Sequence, residues 1–180
     1  MEEPVCRARP CAACLTSGVT QHVADQAPQP RTRRAGPDDA LVIAALTLQC
    51  ARHRGAPAEP GFLDRFASAW LATSTEHPVW IAECSGEHAG YLVSTRHHPL
   101  PWPGDRGRGG SLMVEQFFVR PEFRALRIGE LLLTAARDWA RAEGLSALQM
   151  RPGRHTRSLC ERVGLADTGD LMELRLREGA

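Results

Sequence analysis

No lysine and no asparagine occur among the 180 residues, and all 22 basic side chains are arginine. Without lysine there is no Schiff-base amine and no lysine general base. That excludes lysine-dependent aldolase and pyridoxal chemistry. Apart from histidine, every cationic side chain is instead a permanently charged, fork-shaped guanidinium, suited to phosphate oxygens and carboxylates. Net charge is also scarce: 22 basic against 21 acidic residues leave +1. This balance argues against a DNA-wrapping protein and against a polybasic membrane binder. Long apolar runs are missing too. The longest, around residues 40–46, falls far short of the roughly 20 residues that a membrane helix needs. Residues 1–37 carry Arg, Pro, Cys and Gln where a hydrophobic signal segment would stand, so the expectation is a cytoplasmic protein. The six cysteines are too sparse for a small secreted disulfide scaffold and read as reduced thiols.

A hydrophobic fraction of 43% suffices for the core of one domain. Residues 1–37 read as a tail, with Pro4, Pro10, Pro28, Pro30 and Pro37 and little apolar periodicity. Cys6, Cys11 and Cys14, with His22 downstream, include one Cys-x2-Cys spacing. One such pair is not a zinc framework, and no metal site is expected. The regular pattern starts at Asp38-Asp39, where either aspartate can cap a helix through Leu41, Ile43, Leu46 and Leu48. A second helix carries Phe62, Phe66, Ala69 and Trp70 at helical spacing. Strands follow at 79–84 and 89–95, joined by a turn at Ser85-Gly86-Glu87. Residues 97–110 are a Pro/Gly loop, and a strand covers 112–119. Leu131, Leu132, Ala135, Ala136 and Trp139 give a helix over 128–143 its apolar face, and Gly144 ends it. A strand at 147–151, a helix at 156–163 and a strand at 171–176 complete the chain. The order predicts an α/β fold: a mixed sheet with helices on both faces.

One stretch carries chemistry. Strand 112–119 runs into the turn Arg120-Pro121-Glu122-Phe123-Arg124-Ala125-Leu126-Arg127, and the helix opens at Ile128-Gly129-Glu130. Amides at a helix N-terminus lack partners inside the helix, and the dipole there favours anions. Arg124 and Arg127 flank those amides, so a pyrophosphate can sit between them. The alternative is an ordinary strand–helix turn with solvated arginines.

The stretch resembles the acetyl-CoA-binding motif of the GCN5-related N-acetyltransferase (GNAT) family: Val-x-Pro-x-x-Arg, then Arg/Gln-x-x-Gly-x-Gly/Ala. The run Glu115-Gln116-Phe117-Phe118-Val119 is most similar to the diamine and spermidine/spermine branch. The order of elements from about residue 31 to 176 matches that family as well. The resemblance implies a tail over 1–30, an acetyltransferase domain over 31–180, and a central sheet that splays apart. It implies acetyl-CoA as co-substrate, with the pantetheine arm beside Phe117, Phe118 and Val119. The pyrophosphate would lie on Arg124, Ala125, Leu126, Arg127, Ile128, Gly129 and Glu130. The implied partner is a small-molecule amine rather than nucleic acid or membrane, and a homodimer is compatible with the family.

The sequence departs from the pattern in four places. Ala125 and Arg127 replace glycines; Arg127 either supplies charge to the phosphates or obstructs them. Gly153 replaces a frequent asparagine. The family's Tyr-x-x-x-Gly-Phe reads Cys160-Glu161-Arg162-Val163-Gly164-Leu165, so the phenol that often protonates the CoA thiolate is absent.

The expected reaction is direct attack of a neutral amine on the thioester, with a base taking the extra proton. Glu115 is the candidate base, or a ligand for a cationic acceptor; the bland alternative is an ion pair with an arginine. Cys160 is either the replacement acid or a small buried apolar residue. Tyr91 and Trp102 are candidates to line the acceptor pocket. The competing function is a domain of the same fold that has lost catalysis and binds regulatory partners, with the Cys-rich tail as a further metal- or partner-binding candidate.

Overall fold

The computed structural model of the chain describes residues 29–57, 59–100, 103, 109–153 and 155–169. Among the described residues, five strands form one sheet in chain order: β1 (Arg31–Arg34), β2 (Val79–Cys84), β3 (Glu87–His97), β4 (Ser111–Val119) and β5 (Ala147–Met150). The pairs β1–β2, β2–β3 and β3–β4 are antiparallel, whereas β4–β5 is parallel. A parallel pair needs a crossover, and α3 (Ile128–Ala142) supplies it. This is the mixed α/β sheet that the sequence predicts.

Period-two alternation divides the apolar side chains between two cores. Trp80, Ala82, Leu92, Leu112 and Val114 pack with Ile128, Leu132 and Leu133 of α3 and with Val163 of α4 (Arg157–Val163). Val79, Ile81, Tyr91, Val93 and Phe118 pack with Ile43, Leu46 and Cys50 of α1 (Ala40–His53) and Trp70 of α2 (Phe62–Thr73). The helices therefore cover both faces. Ile128, Leu132 and Leu133 are fully excluded from water, and each such side chain contributes roughly 1.5–3 kcal/mol over exposure. That burial, more than helix propensity, seats α3 on the sheet.

Two local expectations are corrected. Residues 31–34, read as tail, form β1 against 80–83 of β2. Arg-Thr-Arg-Arg has no apolar alternation to signal a strand. Its backbone pairs while its side chains find partners outside the core. Arg33 reaches Glu83 at 2.9 Å and Asp39 at 2.6 and 2.8 Å, and the Arg34 guanidinium lies 4.9 Å from the Trp139 ring centroid. Asp39 occupies the N-cap position of α1 without making a capping bond. Its carboxylate instead accepts the Gly36 N–H at 2.8 Å and the Arg33 fork, which holds it below the usual carboxylate range. The turn between β2 and β3 has positive φ at both Ser85 (52°) and Gly86 (80°), which suits a tight hairpin. The strand expected at 171–176, the N-terminal cysteines and Trp102 lie outside the described residues.

Candidate active site

The site is built where β4 loses one neighbour. β3 pairs with β4 from Ser111 to Val119, but β5 pairs only from Ser111 to Val114. Among the described residues, the edge of β4 facing β5 has no strand partner beyond Val114. Backbone N–H and C=O groups on such an edge are available to an extended ligand. This is the expected splay. The β3–β4 register also shifts at that point: Val93 faces Gln116 and Ser94 faces Val114, which leaves Glu115 as the extra residue of a β-bulge. Bulges re-aim side chains at strand edges. Here the inserted residue moves Phe117 and Val119 to the α3 side and Phe118 to the α1 side.

Glu115 is exposed. No hydrogen bond or ion pair holds its carboxylate among the described residues. The arginine bridge that is its bland alternative is not formed among the described residues. Gln116, beside it, accepts a hydrogen bond from the Tyr91 hydroxyl at 2.9 Å. Tyr91 is fully buried and packs edge-on to Phe118. Its ring lies in the α1-side core, so it does not line an open pocket as the sequence reading expected. Burial pushes its phenol well above the ordinary tyrosine value, so it is a permanent donor. It is also the chain's one tyrosine, so no solvent-facing phenol is available as acid.

Beyond β4, a 3-10 turn (Pro121–Leu126) leads into α3. Glu130 and Leu131 donate to the Arg127 carbonyl at 3.0 and 3.2 Å. The amides of Ile128 and Gly129 precede those bonds and carry no backbone bond among the described residues. Ile128 is fully buried and Gly129 half-buried, so the Gly129 amide is the more open of the two. A Cβ on Gly129 would stand 2.9 Å from Leu159 Cδ2 and 3.1 Å from Phe117 Cζ. The bare glycine lets β4 and α4 close in under the helix start.

Arg124 donates to the Val119 carbonyl at 3.3 Å and to His53 Nε2 at 2.9 Å. His53 ends α1, and its ring lies 5.8 Å from Phe118. This neighbour was not legible in the sequence, because 71 residues separate His53 from Arg124 and no motif links them. Arg127 sits at φ 56°, ψ 20°, the left-handed region that disfavours a β-carbon. Its exposed side chain turns to Glu130, with Nε 2.7 Å from Oε2. Arg162 of α4 meets the same carboxylate at 2.7 Å. Arg162 first, then Arg127, holds the Glu130 carboxyl below its usual range. Two guanidiniums thus offset the one carboxylate at the helix start.

Cys160 is buried, its thiol 3.6 Å from Met150 Sδ. Met150 pairs with Val114, so Cys160 and Glu115 flank the point where the strands part. Burial pushes the thiol up from its ordinary value, which keeps it protonated at neutral pH.

The model of the Acetyltransferase (GNAT) family matches residues 44–165. The chain belongs to the GNAT acetyltransferase family. It is 32% identical over 113 residues to an IAA acetyltransferase of Azospirillum brasilense, covering 59% of this chain and 74% of that one. Its fold is similar to a predicted acetyltransferase of Clostridium acetobutylicum solved with acetyl-CoA: TM-score 0.68, 15% identity, 82% and 97% of the two chains covered. It is also similar to an aminoglycoside N-acetyltransferase solved with CoA: TM-score 0.66, 17% identity, 86% and 99% covered. No helix among the described residues is long and apolar enough to cross a membrane.

Two expectations follow for this GNAT chain. Arg127→Gly relieves the left-handed strain and loses only an exposed ion pair. Such strain costs about 1 kcal/mol, and exposed pairs contribute less than that. The variant should melt a few degrees higher in a thermal scan, and a lower melting temperature would contradict the strain reading. For Cys160, a protonated, buried thiol is a poor nucleophile. Mixing the enzyme with acetyl-CoA alone should leave Cys160 unacetylated by peptide mass spectrometry. An acetyl thioester there would contradict direct transfer.

Proposed function

We propose that this chain transfers an acetyl group from acetyl-CoA to a primary amine of a small molecule. The observation that carries the proposal is the open edge of β4 beginning at the bulged Glu115, continued by amides at the start of α3 that make no backbone bond among the described residues, Gly129 the more open of them. The pantetheine arm would pair with the edge at Phe117, Phe118 and Val119, and the pyrophosphate would take the amides and Arg124. The thioester would then lie at the parting of β4 and β5. The amine lone pair attacks the carbonyl carbon, the C–S bond breaks, and CoA leaves as a thiolate. The proton lost by the nitrogen goes to Glu115, directly or through water. Thiolate is a good leaving group, so Cys160 can assist without being required. The likeness of Glu115–Val119 to the diamine and spermidine branch supports a cationic acceptor. The experiment is thioester cleavage by the purified full chain across a panel of primary amines. Amine-dependent release of CoA is expected. Release with none of the amines by folded protein would overturn the proposal.

A second reading, a GNAT domain without catalysis that binds regulatory partners, is favoured by Arg127 in the phosphate turn and by the missing phenol. Amine-independent binding of partner proteins with no CoA release would support it.

A further inference from the structure

We infer that Gln116 selects the acceptor and that Tyr91 positions it, so that the amine received by Glu115 is one bearing an uncharged carbonyl oxygen on the adjacent carbon, an α-amino amide. The inference rests on the acetyltransferase reading above and narrows its substrate class.

The bulge puts Glu115 and Gln116 together opposite Val93. Glu115 is exposed and Gln116 half-buried, so the pair forms a small polar rim at the parting of the strands. The orientation of the Gln116 amide follows from its neighbours. The buried Tyr91 phenol donates its single proton to Gln116 Oε1, 2.9 Å away. With Oε1 engaged, the two N–H donors of Gln116 are the free part of the group. Tyr91 is locked in the core, so the amide is held by a rigid partner rather than by solvent.

A carboxylate beside an N–H donor pair reads a specific pattern: a cationic or protonated nitrogen with a hydrogen-bond acceptor close by. A free carboxylate on the acceptor would be repelled by Glu115. An uncharged amide carbonyl is not. A plain alkylamine offers Gln116 nothing, and a polar group left without its partner penalises the wrong substrate.

The test compares kcat/KM for alaninamide and for sec-butylamine at saturating acetyl-CoA. The wild type, Gln116→Leu and Tyr91→Phe are run side by side. Taking the ratio of the two amines within each protein cancels general losses of activity. The wild type should favour alaninamide. Gln116→Leu should cut that preference at least about 10-fold, mainly through KM for alaninamide. Tyr91→Phe, which removes one hydroxyl and no apolar volume, should cut it part of the way, and it carries the test alone should Gln116→Leu fail to fold. Equal loss on both amines, or an unchanged ratio, assigns Gln116 a structural role and overturns the inference. Turnover of neither amine, nor of any other in the panel, overturns the acetyltransferase reading along with it.

Discussion

Glu115→Gln is expected to lower kcat by roughly 10²–10⁴-fold, the range that a positioned general base contributes. The carboxylate stands at the bulge where β4 loses its β5 neighbour, and no other described group ties it down. Gln keeps the shape and the hydrogen-bonding capacity but cannot take a proton. Acetyl-CoA affinity should change little, because the cradle proposed for it lies on Phe117–Val119 and the start of α3. A pH profile separates base loss from general damage. An amine presents its lone pair only when deprotonated, so the variant's kcat/KM should keep rising with pH toward the pKa of the free amine. A loss below about fivefold, with an unchanged profile, would remove Glu115 from the reaction.

Gly90→Ala should be the most destabilising single-methyl change in the sheet. Gly90 pairs with Val119, and a Cβ there would stand 2.6 Å from the Phe118 carbonyl oxygen and 3.1 Å from Val119 Cα. Both neighbours are backbone, so no side chain can rotate aside; β3 and β4 must move apart. Overpacking typically costs about 1–3 kcal/mol, and a clash with backbone alone puts this change at the upper end, about 3 kcal/mol. For a chain of this size that corresponds to a melting temperature lower by roughly 6–12 °C. The displaced segment is also the proposed pantetheine edge, so acetyl-CoA affinity should fall with stability. A melting temperature within about 2 °C of wild type would show that the ladder adapts more freely than the geometry allows.

Much of the fold was legible because its core elements obey simple periods. Leu132, Ala135, Ala136 and Trp139 of α3 and the apolar run of Val79–Cys84 sit in the structure as the sequence places them, whereas Leu131 is exposed and Leu133 takes the buried place expected for it. β1 was not legible, since Arg31–Arg34 is held by backbone pairing and guanidinium contacts rather than by apolar alternation. The phosphate turn was visible as a motif, yet its strained Arg127 backbone and the Glu130–Arg162 pair were not. Motifs report residue types; they do not report dihedrals or partners 32 residues away. Tyr91 shows the converse limit. Its phenol suggested a pocket wall, but alternation along β3 turns it inward to the α1-side core. Only its hydroxyl reaches the rim, through Gln116. The bulge at Glu115 has no sequence signal either. It is known from the register, and it decides which side chains of β4 face which layer.

The measurement that bears most directly on the account is calorimetric titration of the purified chain with acetyl-CoA, alongside Arg127→Gly. The account predicts saturable binding by the native protein in the micromolar range, and binding at least as tight by the variant. It is contradicted if the native protein gives no binding heat while the variant binds, because Arg127 would then close the phosphate cradle and the chain would be a GNAT fold that has lost its co-substrate.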